Sequence, residues 1–383
     1  MGHLSVAKQD VFKALAQRLD QNPVGAPLNE TLMRILHIMY TEVQAMIGAK
    51  FPQGLVRFEK LVDIMGLDPE ELRQHLDDMA NKGLVIDIPR DDTVYYMLSP
   101  LVIGFFEYTF MRVTDKLPLQ ELAELFHAYF QDPVVVKELF NSQTKLFQTW
   151  AYESLMPEEV ETEVLSYEKA SEMIRDAGGG ALTMCYCRHK AQHLGTNCDA
   201  PIEDVCTSLG NAAEWLIRRG FARRATVDEL LRVLDKTEEL GLVHLADNVQ
   251  KKPAYICHCC GCCCEALRKT NEYGILAAHP SNFIPRINED LCTGCGSCAK
   301  RCHVRAIKVE ERVPGDKKSR KAVLNQERCL GCGACIRGCK HGAIALVRRQ
   351  EIYVPPVNKK EQMMRIAMEK GKIPAPPKSC FPI

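Results

Sequence analysis

Cysteine dominates the chemistry open to this chain. There are 19 cysteines in 383 residues, and none precedes position 185. Ten fall within residues 185–264: Cys185, Cys187, Cys198, Cys206, Cys257, Cys259, Cys260, Cys262, Cys263 and Cys264. Eight more form two runs of one spacing, C-x2-C-x2-C-x3-C. The first is Cys292, Cys295, Cys298 and Cys302; the second is Cys329, Cys332, Cys335 and Cys339. Cys380 stands apart in the tail PAPPKSC and reads as a free thiol. A thiolate is a soft anionic ligand and a nucleophile. Where thiols stay reduced, such a number serves as metal ligands or redox groups and not as crosslinks.

The remainder of the composition is that of an ordinary globular protein. The hydrophobic fraction is 46%, and Lys+Arg and Asp+Glu both total 49, for zero net charge. That balance argues against a nucleic-acid coat or a polybasic membrane binder. The longest nearly apolar stretch, Val94 to Phe106, is interrupted by Ser99 and Pro100 and stopped by Glu107. It falls well short of the roughly 20 residues that cross a bilayer. No secretory apolar run opens the chain. A cytoplasmic location is the expectation.

The two runs resemble bacterial-type dicluster ferredoxins, over about residues 286–348. The resemblance implies two 4Fe-4S clusters, with the fourth cysteine of each run crossing to the other cluster. One cluster would take Cys292, Cys295, Cys298 and Cys339; the other Cys329, Cys332, Cys335 and Cys302. The spacing has a physical reason. Three thiolates two residues apart, in a loop eased by Gly294, Gly296, Gly331 and Gly333, can wrap one cubane, with backbone N–H groups aimed at sulfur. Zinc usually takes ligands from two paired knuckles instead. Proline usually follows the fourth cysteine in this family; here His303 and Lys340 stand there. Val309–Leu324, with Pro314-Gly315-Asp316 at its centre, reads as an inserted basic hairpin. Its Lys317, Lys318, Arg320 and Lys321 suit an acidic partner or a solvated loop.

The middle cysteines have no such template. Ala181–Cys187 reads as a strand placing Cys185 and Cys187 on one side. Pro201 reads as the start of a helix with Ile202, Val205 and Leu209 inward, so that Cys206 shares that face and Cys198 precedes it. These four are expected to converge on a 4Fe-4S cluster, with zinc as the alternative. In YICHCCGCCC, Cys257 and Cys259 repeat the C-x-C at the end of a strand. Cys260, Cys263 and Cys264 have i, i+3, i+4 spacing if a helix begins near Gly261. These six cysteines could hold a second cubane, complete a larger cluster with the first four, or leave spare thiols. Between the two segments, Thr226-x-x-Glu229 is a capping box for a helix ended by Gly241. His189, His193 and His258 read as ordinary surface histidines.

The cysteine-free front positions nothing by chemistry and must fold by burial. Leu32, Ile35, Leu36, Met39, Val43, Met46 and Ile47 make one helical stripe. A short helix fits Phe58–Met65, and Asp68 with Pro69 opens another that Gly83 closes. Strands Leu84–Ile88 and Val94–Leu98 flank the turn Pro89–Asp92. Three helices and a hairpin resemble a winged helix. Its third helix, Asp68 to Lys82, carries five acidic residues against two basic, net −3. That charge opposes phosphate contact, so DNA binding is disfavoured. The pattern over 102–150 is helical, with one helix from Pro118 to Phe130. A strand is expected near Glu161–Leu165, then a helix capped by Ser166 and ended by Gly178–Gly180. Phe105, Phe106, Tyr108 and Phe110 read as core or as an interface with the cysteine-bearing part.

The fold class expected is multidomain α+β. It has a winged-helix-like domain (1–115), a helical connector (116–175), a cysteine-rich α/β module (176–285), a dicluster ferredoxin domain (286–348) and a helical, Pro-rich tail (349–383). The layout is similar to ferredoxin-like iron-sulfur proteins of anaerobic microbes and implies no particular reaction. The expected function is single-electron transfer through three or four 4Fe-4S clusters between cytosolic partners of the flavoprotein, hydrogenase or reductase class. Two alternatives stand beside it: a redox-sensing winged-helix transcription regulator, and a reductase with a catalytic cluster in the middle module. No nucleotide loop or hydrolase motif appears; GGG at 178–180 lacks dinucleotide-motif spacing. No side chain is singled out as catalytic.

Overall fold

In the computed structural model the described residues are 2–158 and 164–374, with side chains from residue 10 onward. Most of the strand expected at Glu161–Leu165, and Cys380, lie outside them. The chain opens with helices α1 (Gly2–Asp20), α2 (Glu30–Met39) and α3 (Glu42–Lys50). The stripe from Leu32 to Ile47 is therefore split in two. Thr41 accepts from the Gln44 N–H while Gln44 accepts from the Thr41 N–H, and this capping box starts a new helix in mid-stripe. Strand β1 (Val56–Arg57), α4 (Phe58–Met65), α5 (Pro69–Asn81), β2 (Val85–Arg90) and β3 (Thr93–Leu98) follow, with sheet order β1-β3-β2. Asp68 caps α5 through the Glu70 and Glu71 N–H groups, and Pro69 fills its first turn. The hairpin turn is tighter than expected: strand pairing runs to Arg90–Thr93, leaving Asp91 and Asp92, with Asp91 at positive φ. Helices α6 (Phe106–Phe110), α7 (Leu119–Tyr129) and α8 (Pro133–Phe140) complete the front.

A seven-stranded mixed sheet carries the middle of the chain. Its elements are β4 (Phe147–Trp150), α9 (Ala170–Ala177), β5 (Gly180–Thr183), α10 (Tyr186–His193), β6 (Cys206–Leu209), α11 (Gly210–Arg218), β7 (Arg223–Ala225), α12 (Val227–Glu239), β8 (Val243–Asp247), β9 (Tyr255–Cys259), α13 (Glu265–Tyr273) and β10 (Ala278–His279). The strand order is β10-β4-β8-β9-β6-β5-β7, antiparallel except for β10 with β4. The Thr226–Glu229 capping box opens α12 as expected. Ser166 instead starts a short 3-10 turn, and α9 begins at Ala170.

The C-terminal part is built from β11 (Phe283–Ile287), α14 (Ser297–Lys300), β12 (Ile307–Glu311), β13 (Arg320–Leu324), α15 (Ala334–Arg337) and β14 (Ile344–Arg348). The β11–β14 and β12–β13 pairs are both antiparallel. Helix α16 (Lys359–Glu369) returns to the front: Glu369 accepts from the Thr144 N–H at 3.0 Å, and Lys370 pairs with Glu138. The fold is thus mixed α/β with a separate small module at its C-terminal end. No helix among the described residues is long and apolar enough to cross a membrane.

One buried apolar cluster runs from Phe12, through Phe105, Phe106 and Phe110, to six of the middle cysteines and on to Ile366. The aromatic run therefore docks the cysteine-bearing part, as its second reading expected: Phe106 meets Tyr186 edge-on at 5.8 Å, and Tyr108 lies 4.8 Å from Trp215. A polar joint secures the same contact. Asp87 on β2 is 3% exposed and accepts from Trp215 Nε1 at 3.0 Å and Arg219 Nε at 2.9 Å, with Arg218 completing the cluster. Burial alone would raise its pKa, but the two arginines and the indole N–H hold it below the ordinary 3.8. Its contribution to stability is therefore complete above that range and is lost as pH falls through the depressed folded value. Asp87→Ala should cost about 3 kcal/mol at neutral pH, because it strands Arg219 and the indole N–H. Denaturant unfolding followed by circular dichroism checks this; a change below about 0.5 kcal/mol would reduce the joint to a surface ion pair.

Candidate metal centre

The two C-terminal runs each surround a small cavity. Cys292, Cys295, Cys298 and Cys339 line one of about 20 Å³. Cys302, Cys329, Cys332 and Cys335 line another of about 20 Å³. The fourth cysteine of each run thus stands with the other run. The loops need glycine because backbone crosses them closely. A Cβ on Gly294 would lie 2.2 Å from the Arg320 carbonyl, and one on Gly331 would lie 2.0 Å from that of Phe283. Both glycines also sit at positive φ. Backbone donors point at sulfur: Ala306 N–H to Cys302 Sγ at 3.1 Å, Ala322 N–H to Cys292 Sγ at 3.4 Å, and Gly331 N–H to Cys329 Sγ at 3.4 Å. Burial pushes the Cys332 thiol up to about 12. The insertion is the expected hairpin, β12–β13, but Lys321 is engaged internally. Its ammonium donates to the carbonyls of Glu289 at 2.7 Å and Cys292 at 2.8 Å, fixing the first loop. Lys317 and Lys318 remain exposed.

The ten middle cysteines divide differently from the sequence expectation. Strand β5 ends at Thr183, so Cys185 caps α10 and Cys187 lies in its first turn; they do not alternate along a strand. No helix begins at Pro201. Instead the Cys185 N–H donates to the Ile202 carbonyl, and Cys206 opens β6, paired with Thr183. Nor does a helix begin near Gly261: α13 starts at Glu265, with Cys264 as its cap. Cys257 and Cys259 do lie on one face of a strand, β9.

Cys185, Cys206, Cys257, Cys259, Cys264 and Cys187 form a buried succession of neighbouring thiols. Bonds from Cys206 and Cys259 bring Cys257 down to about 6, and bonds from Cys187 and Cys259 lower Cys264. Cys185, Cys187 and Cys259 rise as their partners take the charge. Four members, Cys187, Cys257, Cys259 and Cys264, line a third cavity of about 20 Å³. Phe106, Phe130, Phe140, Phe147 and Tyr186 wall it. Val243, which lines the second-run cavity, pairs in the sheet with Cys259, and Leu245, which lines the third, pairs with Cys257. The two cavities are neighbours on one sheet face.

Cys198, Cys260, Cys262 and Cys263 form a separate group whose sulfur atoms all lie within 4.8 Å of one another. Cys198 therefore stands away from Cys185, Cys187 and Cys206, and the neighbours Cys263 and Cys264 belong to different groups.

Several functional residues carry no signal in the sequence. Arg188 is wholly buried and donates to the carbonyls of Pro201 at 2.9 Å and His258 at 2.6 Å. Burial alone would lower its pKa, but Cys185, Cys260, Cys206 and Cys259 hold it above its ordinary value. Glu107 lines the third cavity, accepts from the Gly104 N–H at 2.7 Å, and is pushed up to about 8 by burial. Burial thereby favours its neutral form. Lys190 and Glu265 form a buried ion pair at the same wall. The histidines are not surface groups: His189 and His258 are buried and His193 is half-buried. His258 faces Thr237 on the side of β9 opposite the thiols, its Nδ1 3.0 Å from the hydroxyl. His303 is a joint. Its Nδ1 accepts from the Gly261 N–H at 3.0 Å and its Nε2 donates to the Gly241 carbonyl at 2.8 Å.

A family model described as 4Fe-4S dicluster domain matches residues 291–343. The C-terminal module is such a domain. With the cysteine-rich region before it, this supports a role in iron-sulfur electron transfer with redox partners. No curated protein and no solved structure matches the chain.

The crossed cavities yield a test. Cys302→Ala should abolish the cluster signal of the second run and leave that of the first, although Cys302 belongs to the first. Electron paramagnetic resonance of the reduced variant decides it; loss of the first-run signal alone would contradict the pairing.

Proposed function

We propose that this chain passes single electrons between redox proteins by way of three 4Fe-4S clusters, two in the dicluster domain and one in the middle module. The observation that carries the third cluster is the equality of the cavities: each is about 20 Å³ and each is lined by four cysteines. Cys187, Cys257, Cys259 and Cys264 would hold it, with Cys185 and Cys206 immediately behind. When bound, a cubane supplies reversible one-electron chemistry.

The chain's own residues supply the rest. The aromatic wall excludes water, neutral Glu107 adds no charge to that wall, and Arg188 offsets thiolate charge. Exposure falls along the series. Cys295 is exposed in the first loop, Cys329 and Cys335 are buried in the second, and all four thiols of the third cavity are buried. The first loop, with exposed Leu291 beside it, therefore suits exchange with a partner. A flavoprotein, hydrogenase or reductase in the cytoplasm fits that role.

Within this reading residues 1–115 act as a winged-helix-like scaffold that closes the third cavity, and not as a DNA reader. Asp77 and Asn81 of α5 are bonded to Arg219, and Asp78 to Lys82 and Gln44. Two acidic residues of the helix, Asp77 and Asp78, are thereby engaged in protein contacts. The regulator and reductase alternatives have no comparable support.

Anaerobically purified protein should contain about 12 iron and about 12 sulfide per chain, four of each per cubane. Cys259→Ala should lose about four iron while keeping the dicluster signals. Wild-type protein with only about eight iron would overturn the third cluster.

A further inference from the structure

The group Cys198, Cys260, Cys262 and Cys263 has a different geometry from every cavity described above. Its sulfur contacts are 3.6 Å for Cys198–Cys260, 3.9 Å for Cys198–Cys263 and 3.8 Å for Cys262–Cys263. Four sulfurs each about 2.3 Å from one central ion stand about 3.8 Å apart at the corners of a tetrahedron. A cubane instead bonds each thiolate to a separate iron, which spreads the four sulfurs well beyond such an envelope. The same molecule provides the comparison. Both cysteine sets of the dicluster domain enclose a cavity, and neither is drawn into so tight a group. None of Cys198, Cys260, Cys262 and Cys263 lines any of the three cavities.

We propose that these four cysteines bind a single tetrahedral metal ion of the zinc class. Four thiolates close the coordination sphere, leaving no open position, which makes the site structural and not catalytic. Disulfides do not account for the group, because its separations far exceed the roughly 2 Å of an S–S bond. All four cysteines are free. Binding displaces the thiol protons.

The ion would tie two otherwise separate segments: the loop after α10, which carries Cys198, and the turn between β9 and α13, which carries the other three. That turn separates Cys259 from Cys264, two ligands proposed for the third cluster. It also touches the dicluster domain, since Gly261 is bonded to His303, and a Cβ there would lie 2.2 Å from the His303 carbonyl. A rigid turn at this point sets the position of the third cavity relative to the second.

The test uses the full chain purified anaerobically without chelators. Elemental analysis should find about one zinc per chain, and zinc-edge X-ray absorption should show four sulfur neighbours at about 2.3 Å. Cys262→Ala, which alters the one exposed member of the group, should lower zinc at least fivefold with iron unchanged. Zinc near zero, a further iron in its place, nitrogen or oxygen neighbours at the zinc, or zinc retained in the variant would each overturn the proposal. It does not depend on the third cubane: about eight iron with one all-sulfur zinc would support this site while removing that cluster.

Discussion

A guanidinium with no exposed surface is the constraint around which the middle of this protein is arranged. Arg188 is wholly buried, and thiols of both groups, Cys185 and Cys206 of one and Cys260 of the other, hold its pKa up. An unpaired buried charge costs several kcal/mol at least. Two carbonyls satisfy part of its fork, its buried Nε–H has no hydrogen-bond partner, and its charge is offset only by nearby thiols. The demand is mutual. Clustered thiolates in an apolar core repel one another and need a fixed positive charge that water cannot provide. The surrounding features serve the same end of keeping net charge out of a dry interior. Glu107 is held neutral, Lys190 is paired with Glu265, and His258 is turned away and kept uncharged by burial.

That dryness explains why the front of the chain cannot be separated from the chemistry behind it. Phe106 and Glu107 come from α6, Phe130 and Phe140 from the ends of α7 and α8, and Phe147 from β4. Elements with no cysteine thus provide much of the wall around the cysteines. The Asp87 joint and the return of α16 hold these elements in place. The apparent scaffold is part of the site.

The dicluster loops are legible in the sequence because the cysteines that line each cavity are mostly local to one loop. Spacing and glycine alone bring three thiolates to one centre, and the repeat supplies the fourth. The middle cysteines are not legible for the opposite reason. Cys263 and Cys264 are adjacent yet belong to different groups, because the turn before α13 aims them apart. Cys198 and Cys260 meet across 62 positions, and no local period records that. The expected strand at Ala181–Cys187 stops at Thr183 because the chain turns at Met184, where Cys185 becomes a helix cap. Arg188 and His303 look like surface residues; only distant carbonyls and the Gly261 N–H reveal their roles. The Thr226–Glu229 capping box and the Asp68–Pro69 helix start, by contrast, depend on neighbours two or three residues away and read correctly.

The cavity walled by Phe106, Phe130 and Tyr186 is proposed as a third cluster seat equivalent to the two in the dicluster domain. Iron-edge anomalous diffraction from crystals grown without oxygen tests it most directly. Three separate four-iron peaks per chain are expected, one of them bounded by Cys187, Cys257, Cys259 and Cys264. Iron confined to the two C-terminal cavities, with the third empty or holding a single ion, would contradict it.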